Sequence, residues 1–147
     1  MIPPFNEYGL LPDGIYDCTL DEAAARFGEF QINDRRTRLW ARFTEFMGEA
    51  KACDFTEAVL LDGSFVTAKP DPNDIDLVLV VSADHDFSAD FHPREYNVLS
   101  KRRVYRRFGF DLLVARVDSE AYRRYVGFFQ QVRLEPGRKK GILRIRL

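Results

Sequence analysis

The sequence predicts an α/β (α+β) fold in which helices cover a small β-sheet. Two observations carry the prediction. Apolar runs at 57–62, 75–82 and 109–115 have the length and composition of strands and are bounded by Gly, Pro, Asn or Asp. Between them, apolar residues recur three and four apart, the period of a helix with one buried face. Neither an internal repeat nor a linker breaks the alternation, so residues 1–147 are expected to form a single domain.

Taken in order, residues 1–18 hold Pro3, Pro4, Pro12, Gly9 and Gly14, with Phe5, Tyr8, Leu10, Leu11, Ile15 and Tyr16 between them. This reads as an extended N-terminal arm, stiffened by proline and packed on the domain. Thr19-Leu20-Asp21-Glu22 is a capping box, and the short helix it starts should stop at Gly28. Asn33-Asp34 offers an N-cap for a longer helix over 34–51. There Leu39, Trp40, Phe43, Phe46, Met47 and Ala50 make the apolar stripe, and Arg35, Arg36, Arg38, Arg42, Glu45 and Glu49 fill the remaining face. Strands 57–62 and 75–82 are joined by a turn built on Pro70, Pro72, Asp71, Asn73 and Asp74. Residues 83–92 form a polar loop whose His85 and His92 lack the spacing that sets two metal ligands on one helix face. Pro93 suits the first turn of a helix reaching about 107, with Tyr96, Leu99, Val104 and Phe108 as a broken apolar face. Strand 109–115 follows. Asp118-Ser119 caps another helix to about 131, with Tyr122, Tyr125, Val126, Phe128 and Phe129 directed inward. Pro136-Gly137 turns the chain into a last strand, 141–147.

Composition narrows the class. With 147 residues, 46% of them apolar, the chain is long enough to bury about two-thirds of its unfolded surface. No apolar run approaches the ~18 residues of a membrane span, and residues 1–7 lack the basic and apolar regions of a signal peptide. Cys18 and Cys53 are too few and too far apart for a disulfide framework, so a cytoplasmic protein is expected. The net charge of −1 hides an asymmetry: residues 1–93 carry 7 Lys/Arg against 18 Asp/Glu, and residues 94–147 carry 15 against 5. Either the halves attract within one fold, or the basic half faces a polyanion such as a triphosphate or a nucleic acid.

The chemistry concentrates at 60–81. One apolar run ends in Asp62-Gly63-Ser64, and a second opens with Asp74-Ile75-Asp76. Residues two apart on a strand share a face, so Asp74 and Asp76 point the same way and repel unless a cation or donors separate them. Such oxygen-only pairs suit Mg²⁺, which takes one or two carboxylates and completes its shell with phosphates and water. Gly63 lets phosphate oxygens approach bare backbone N–H groups. Further along, Asp111 is one acid among apolar neighbours, costly to bury without a cation or donors, or else an edge-strand acid facing water. Lys101, Arg102, Arg103, Arg106 and Arg107 place five positive charges within seven residues, either as a solvated face or reaching an anion.

A strand ending in Gly-Ser, a nine-residue gap (65–73) and an Asp-x-Asp within an apolar strand resemble the nucleotidyltransferase superfamily (DNA polymerase beta-like). The likeness is to its minimal bacterial members, related to HEPN-partner antitoxins. The resemblance implies a nucleotidyltransferase-like fold with a mixed sheet. It implies that Gly63 and Ser64, with Thr67 and Lys69 in the loop, hold the phosphates of an NTP. It makes Asp74 and Asp76 the Mg²⁺ ligands and catalytic pair, with Asp111 as a third carboxylate that binds metal or activates the acceptor. The minimal family commonly has an Arg and a Gly within the loop, where this chain reads Phe65-Val66-Thr67-Ala68-Lys69. The expected reaction is transfer of a nucleotide, in the first instance AMP from ATP, to a hydroxyl of a protein or RNA acceptor. A toxin partner is among the acceptors considered, and neither DNA nor membrane is expected as a partner. A catalytically inactive antitoxin or regulatory binding protein on the same fold is the alternative. An RNA-binding domain using the basic half is a third reading, which leaves the Gly-Ser and Asp-x-Asp pattern without a role.

Overall fold

The computed structural model describes residues 1–28, 34–133 and 135–147. Strands β1 (Gly14–Cys18), β2 (Thr56–Asp62), β3 (Asp76–Val81), β4 (Asp111–Arg116) and β5 (Gly141–Arg146) form one sheet in the order β1-β5-β2-β3-β4. β1 runs parallel to β5 and β3 parallel to β4, while β2 is antiparallel to both its neighbours. The sheet is therefore mixed. Its helices are α1 (Leu20–Ala23), α2 (Arg35–Lys51), α3 (Pro93–Leu99), α4 (Lys101–Phe108) and α5 (Glu120–Phe129).

Side chains alternate between the two faces of the sheet, and both faces are covered. Val59, Leu61, Leu77, Leu79, Leu112 and Leu143 pack with Phe43, Phe46 and Met47 of α2, Val98 of α3, and Val104 and Phe108 of α4. Leu60, Val78, Val80, Ala115 and Ile142 meet Tyr122 and Phe129 of α5 on the other side. Asp62 and Asp76 have the parity of this second set, so they face the α5 layer at the end of their strands.

Several elements differ from expectation. The N-terminal arm contributes β1, an edge strand along β5, and its Tyr16 hydroxyl donates to the Pro12 carbonyl at 2.7 Å. Proline and glycine around it disguise the strand in the sequence. The capping box forms, with Glu22 N–H donating to Thr19 Oγ1 at 3.0 Å, but α1 lasts four residues and continues as a π-turn, Ala24–Gly28. Asn33 lies outside the described residues; Asp34 pairs with Arg38 at 3.1 Å and makes no side-chain cap bond. The helix expected from Pro93 onward is two helices. Ser100, at ψ 111°, leaves helical geometry, and its hydroxyl accepts the Arg103 N–H at 3.3 Å to start α4. Phe128, expected inward, is 66% exposed.

Candidate active site

β2 ends at Asp62, and Gly63 follows at φ +94°, where L side chains are strained. A Cβ at Gly63 would lie 3.1 Å from the Asp74 carbonyl oxygen and 3.3 Å from Asp74 Oδ1, so the two ends of the loop meet only because the residue is glycine. Ser64 opens a 3-10 turn (Ser64–Val66) and donates its N–H (3.1 Å) and hydroxyl (2.8 Å) to Asp74 Oδ1. Thr67 Oγ1 donates to the Ser64 carbonyl at 2.6 Å. The Gly-Ser turn and the first acid of Asp-x-Asp are thus one hydrogen-bonded unit. Sequence reasoning assigned the Ser64 donors to phosphate; here Asp74 takes them.

Arg36 holds this loop from behind. It is 1% exposed, and its guanidinium donates to the carbonyls of Phe65 (2.6 Å), Thr67 (2.8 Å) and Lys69 (2.5 Å). Burial pulls its pKa down to about 10. Its charge led to the expectation that Arg36 belongs to the polar face of α2, and that is corrected: Arg36 stands one turn before Leu39 on the buried stripe, and the five fixed donors of arginine suit a loop that turns its carbonyls inward.

The strand register assembles an acid row. Asp62 lies opposite Asp76, and Asp76 opposite Asp111, on three adjacent strands. Directly opposed residues share a face, so all three point toward the α5 layer. Asp62 is 4% exposed, Asp76 is partly buried and Asp111 is exposed. Burial first, then the charges of Asp74, Asp62 and Asp111, push the Asp76 carboxyl up to about 6. Burial also raises Asp62, opposed by Lys140, whose Nζ is 3.1 Å from Asp62 Oδ1 at ion-pair distance without hydrogen-bond alignment. Asp62 and Lys140 are the site residues that sequence reasoning missed. Asp62 stands next to Gly63, but only the β2–β3 register shows it opposite Asp76.

The row opens into two adjoining hollows. The larger, about 1010 Å³, spreads over Gly63, Ser64, Thr67 and Lys69 and includes Asp62 and Lys140. The smaller, about 310 Å³, contains Asp111 and Lys101. Asp74, Asp76, Phe128, Phe129 and Arg133 border both. Gly63, Ser64, Thr67, Lys69, Asp74, Asp76 and Asp111 therefore all line these two adjoining hollows. Of the basic segment 101–107, Lys101 lines the smaller one, whereas Arg107 pairs with Glu45 and Glu49 of α2 at 2.8 and 2.5 Å. Arg103 lies over the Tyr96 ring at 5.5 Å. His85 is buried against Phe55, Phe87 and Phe91, at 4.6, 4.7 and 5.4 Å between centroids.

Among the described residues, no three of His, Cys, Asp and Glu are grouped so as to hold a metal ion. β3 begins at Asp76, so the expectation that strand alternation sets Asp74 and Asp76 on one face is corrected: Asp74 lies before the strand, and its Oδ1 accepts from Ser64. The donor set nonetheless suits a hard divalent cation. It offers carboxylate oxygens only, and burial together with the neighbouring acids raises the Asp76 carboxyl, a cost that a bound cation would offset.

Fold and site together define a class: an α+β protein with a carboxylate row at one end of a mixed sheet, opening into a cleft edged by Lys and Arg. The chain belongs to the Family of unknown function (DUF6932), which it matches over residues 3–146. No curated protein and no solved structure matches it. No described helix is long and apolar enough to cross a membrane.

Proposed function

We propose that this chain is a Mg²⁺-dependent nucleotidyltransferase of nucleotidyltransferase-like fold. It moves AMP from ATP, or a nucleotide from another NTP, to a hydroxyl of a protein or RNA acceptor. The observation that carries the reading is Asp76 set between Asp62 and Asp111 by strand register, beside the Gly63-Ser64 turn, with cations on both sides of the cleft. In this reading Asp74, Asp76 and Asp111 hold Mg²⁺, which when bound neutralises charge on the phosphates. Lys69 and Lys140, in the larger hollow, face the triphosphate. Ser64 offers its N–H and hydroxyl once they leave Asp74. Asp111, the exposed member of the row, takes the proton of the acceptor hydroxyl as its oxygen bonds to phosphorus and pyrophosphate leaves.

The test is Mg²⁺-dependent ATP binding by calorimetry. Asp74→Ala/Asp76→Ala is expected to abolish it, and unchanged binding in a folded double variant would sink the site. A specific observation favours a second reading, a non-catalytic binding or antitoxin-like protein: both Ser64 donors are spent within the protein. Incubation with labelled ATP, Mg²⁺ and lysate separates the two. Label on a protein or RNA band supports transfer; ATP bound without transferred label supports the binder.

A further inference from the structure

We propose that the wall formed by the end of α5 is a nucleobase site, with Phe128 as its stacking platform. The inference rests on the nucleotide reading above and adds where the base lies. Phe128 keeps 66% of its surface exposed, while Tyr122 and Phe129 of the same helix are buried at 8% and 5%. An exposed phenyl ring forfeits the stabilisation of burial, and this one stands at the border of both hollows beside Asp74, Asp76 and Arg133. Gly127, just before it, lies inside the helix with nothing within 4 Å of where a Cβ would stand. Packing does not require glycine there, and its presence leaves the helix surface next to the ring without a side chain. The combination fits one kind of ligand. A flat π-system matches the ring, and an anionic tail matches Lys69 and Lys140 across the same larger hollow. A nucleoside triphosphate has both. Because every base has a π face, the platform supplies affinity rather than choice among bases.

The experiment compares ATP with inorganic triphosphate, each with Mg²⁺, binding to the full chain by calorimetry. Phe128→Ala is expected to weaken ATP about ten-fold, the loss of one base–aromatic stack. It should leave inorganic triphosphate unchanged, and Phe128→Trp should restore ATP. Since the ring is exposed, circular dichroism of the variant should match the wild type. If Phe128→Ala binds ATP as tightly as wild type while Asp76→Asn does not, the stacking site is overturned and the nucleotide reading stands. Equal weakening of both probes also overturns it, because the ring would then act on the phosphates or the fold. Wild-type protein that binds neither probe overturns the nucleotide reading, and the base site with it.

Discussion

Asp76 and Arg36 show how single residues trade stability against the site. The Asp76 carboxyl titrates at about 6 in the fold against an ordinary 3.8, so the native state binds its proton more tightly than the unfolded chain. Its contribution is therefore most favourable below about pH 4 and is lost as pH rises through about 6. Asp76→Asn removes the penalty: urea denaturation at pH 7–8 should show a gain on the order of 1 kcal/mol, discounted for partial exposure, that fades toward pH 4. The same substitution should cost Mg²⁺-dependent ATP binding, so fold and site respond with opposite signs. Arg36 has no such conflict. Replacing it by Met leaves the carbonyls of Phe65, Thr67 and Lys69 without their guanidinium donors, at about 3 kcal/mol or more. Arg36→Lys should recover less than half of this in denaturant titration, because one ammonium cannot span three carbonyls as the guanidinium does.

Among the elements, the break between α3 and α4 depends on Ser100. Its hydroxyl caps α4, so Ser100→Ala should cost about 1 kcal/mol, measured as a lower denaturation midpoint at unchanged m-value. The apolar spacing reads through Ser100 as one helix, because period records which residues are buried and not where the backbone leaves helical geometry. Strands β2, β3 and β4 were legible because buried strands show as apolar runs. β1 was not, since Gly9, Pro12 and Gly14 break up any such run, whereas β4, the other edge strand, keeps one. α5 was placed correctly, with Tyr122, Tyr125, Val126 and Phe129 inward as expected, but Phe128 was not. Phe128 and Phe129 are about 100° apart around a helix, so one faces the sheet and the other solvent. Packing on Tyr122 and the sheet, rather than local sequence, selected Phe129.

Across the whole molecule, the charge asymmetry is partly absorbed by the fold. Glu45, Glu49, Asp17 and Asp62 of the acidic half pair with Arg107, Arg144 and Lys140 of the basic half. Lys101 and Arg133 stand at the cleft instead, where the polyanion alternative keeps its force. The sequence by itself determined the helix–strand alternation, the Thr19 capping box, the stripe of α2 and the glycine turn at 63. These depend on local propensity and on period, which act within a few residues. Only the tertiary structure decided that Asp62 joins the acid row, that Asp111 stands beside Asp76 and that Lys140 reaches Asp62. It also decided that Arg36 is buried behind the loop and that Phe128 edges the cleft. The physical reason is that strand register, helix rotation and loop coverage are fixed by contacts between residues far apart in the chain, whose energies are won collectively when the sheet closes against its helices.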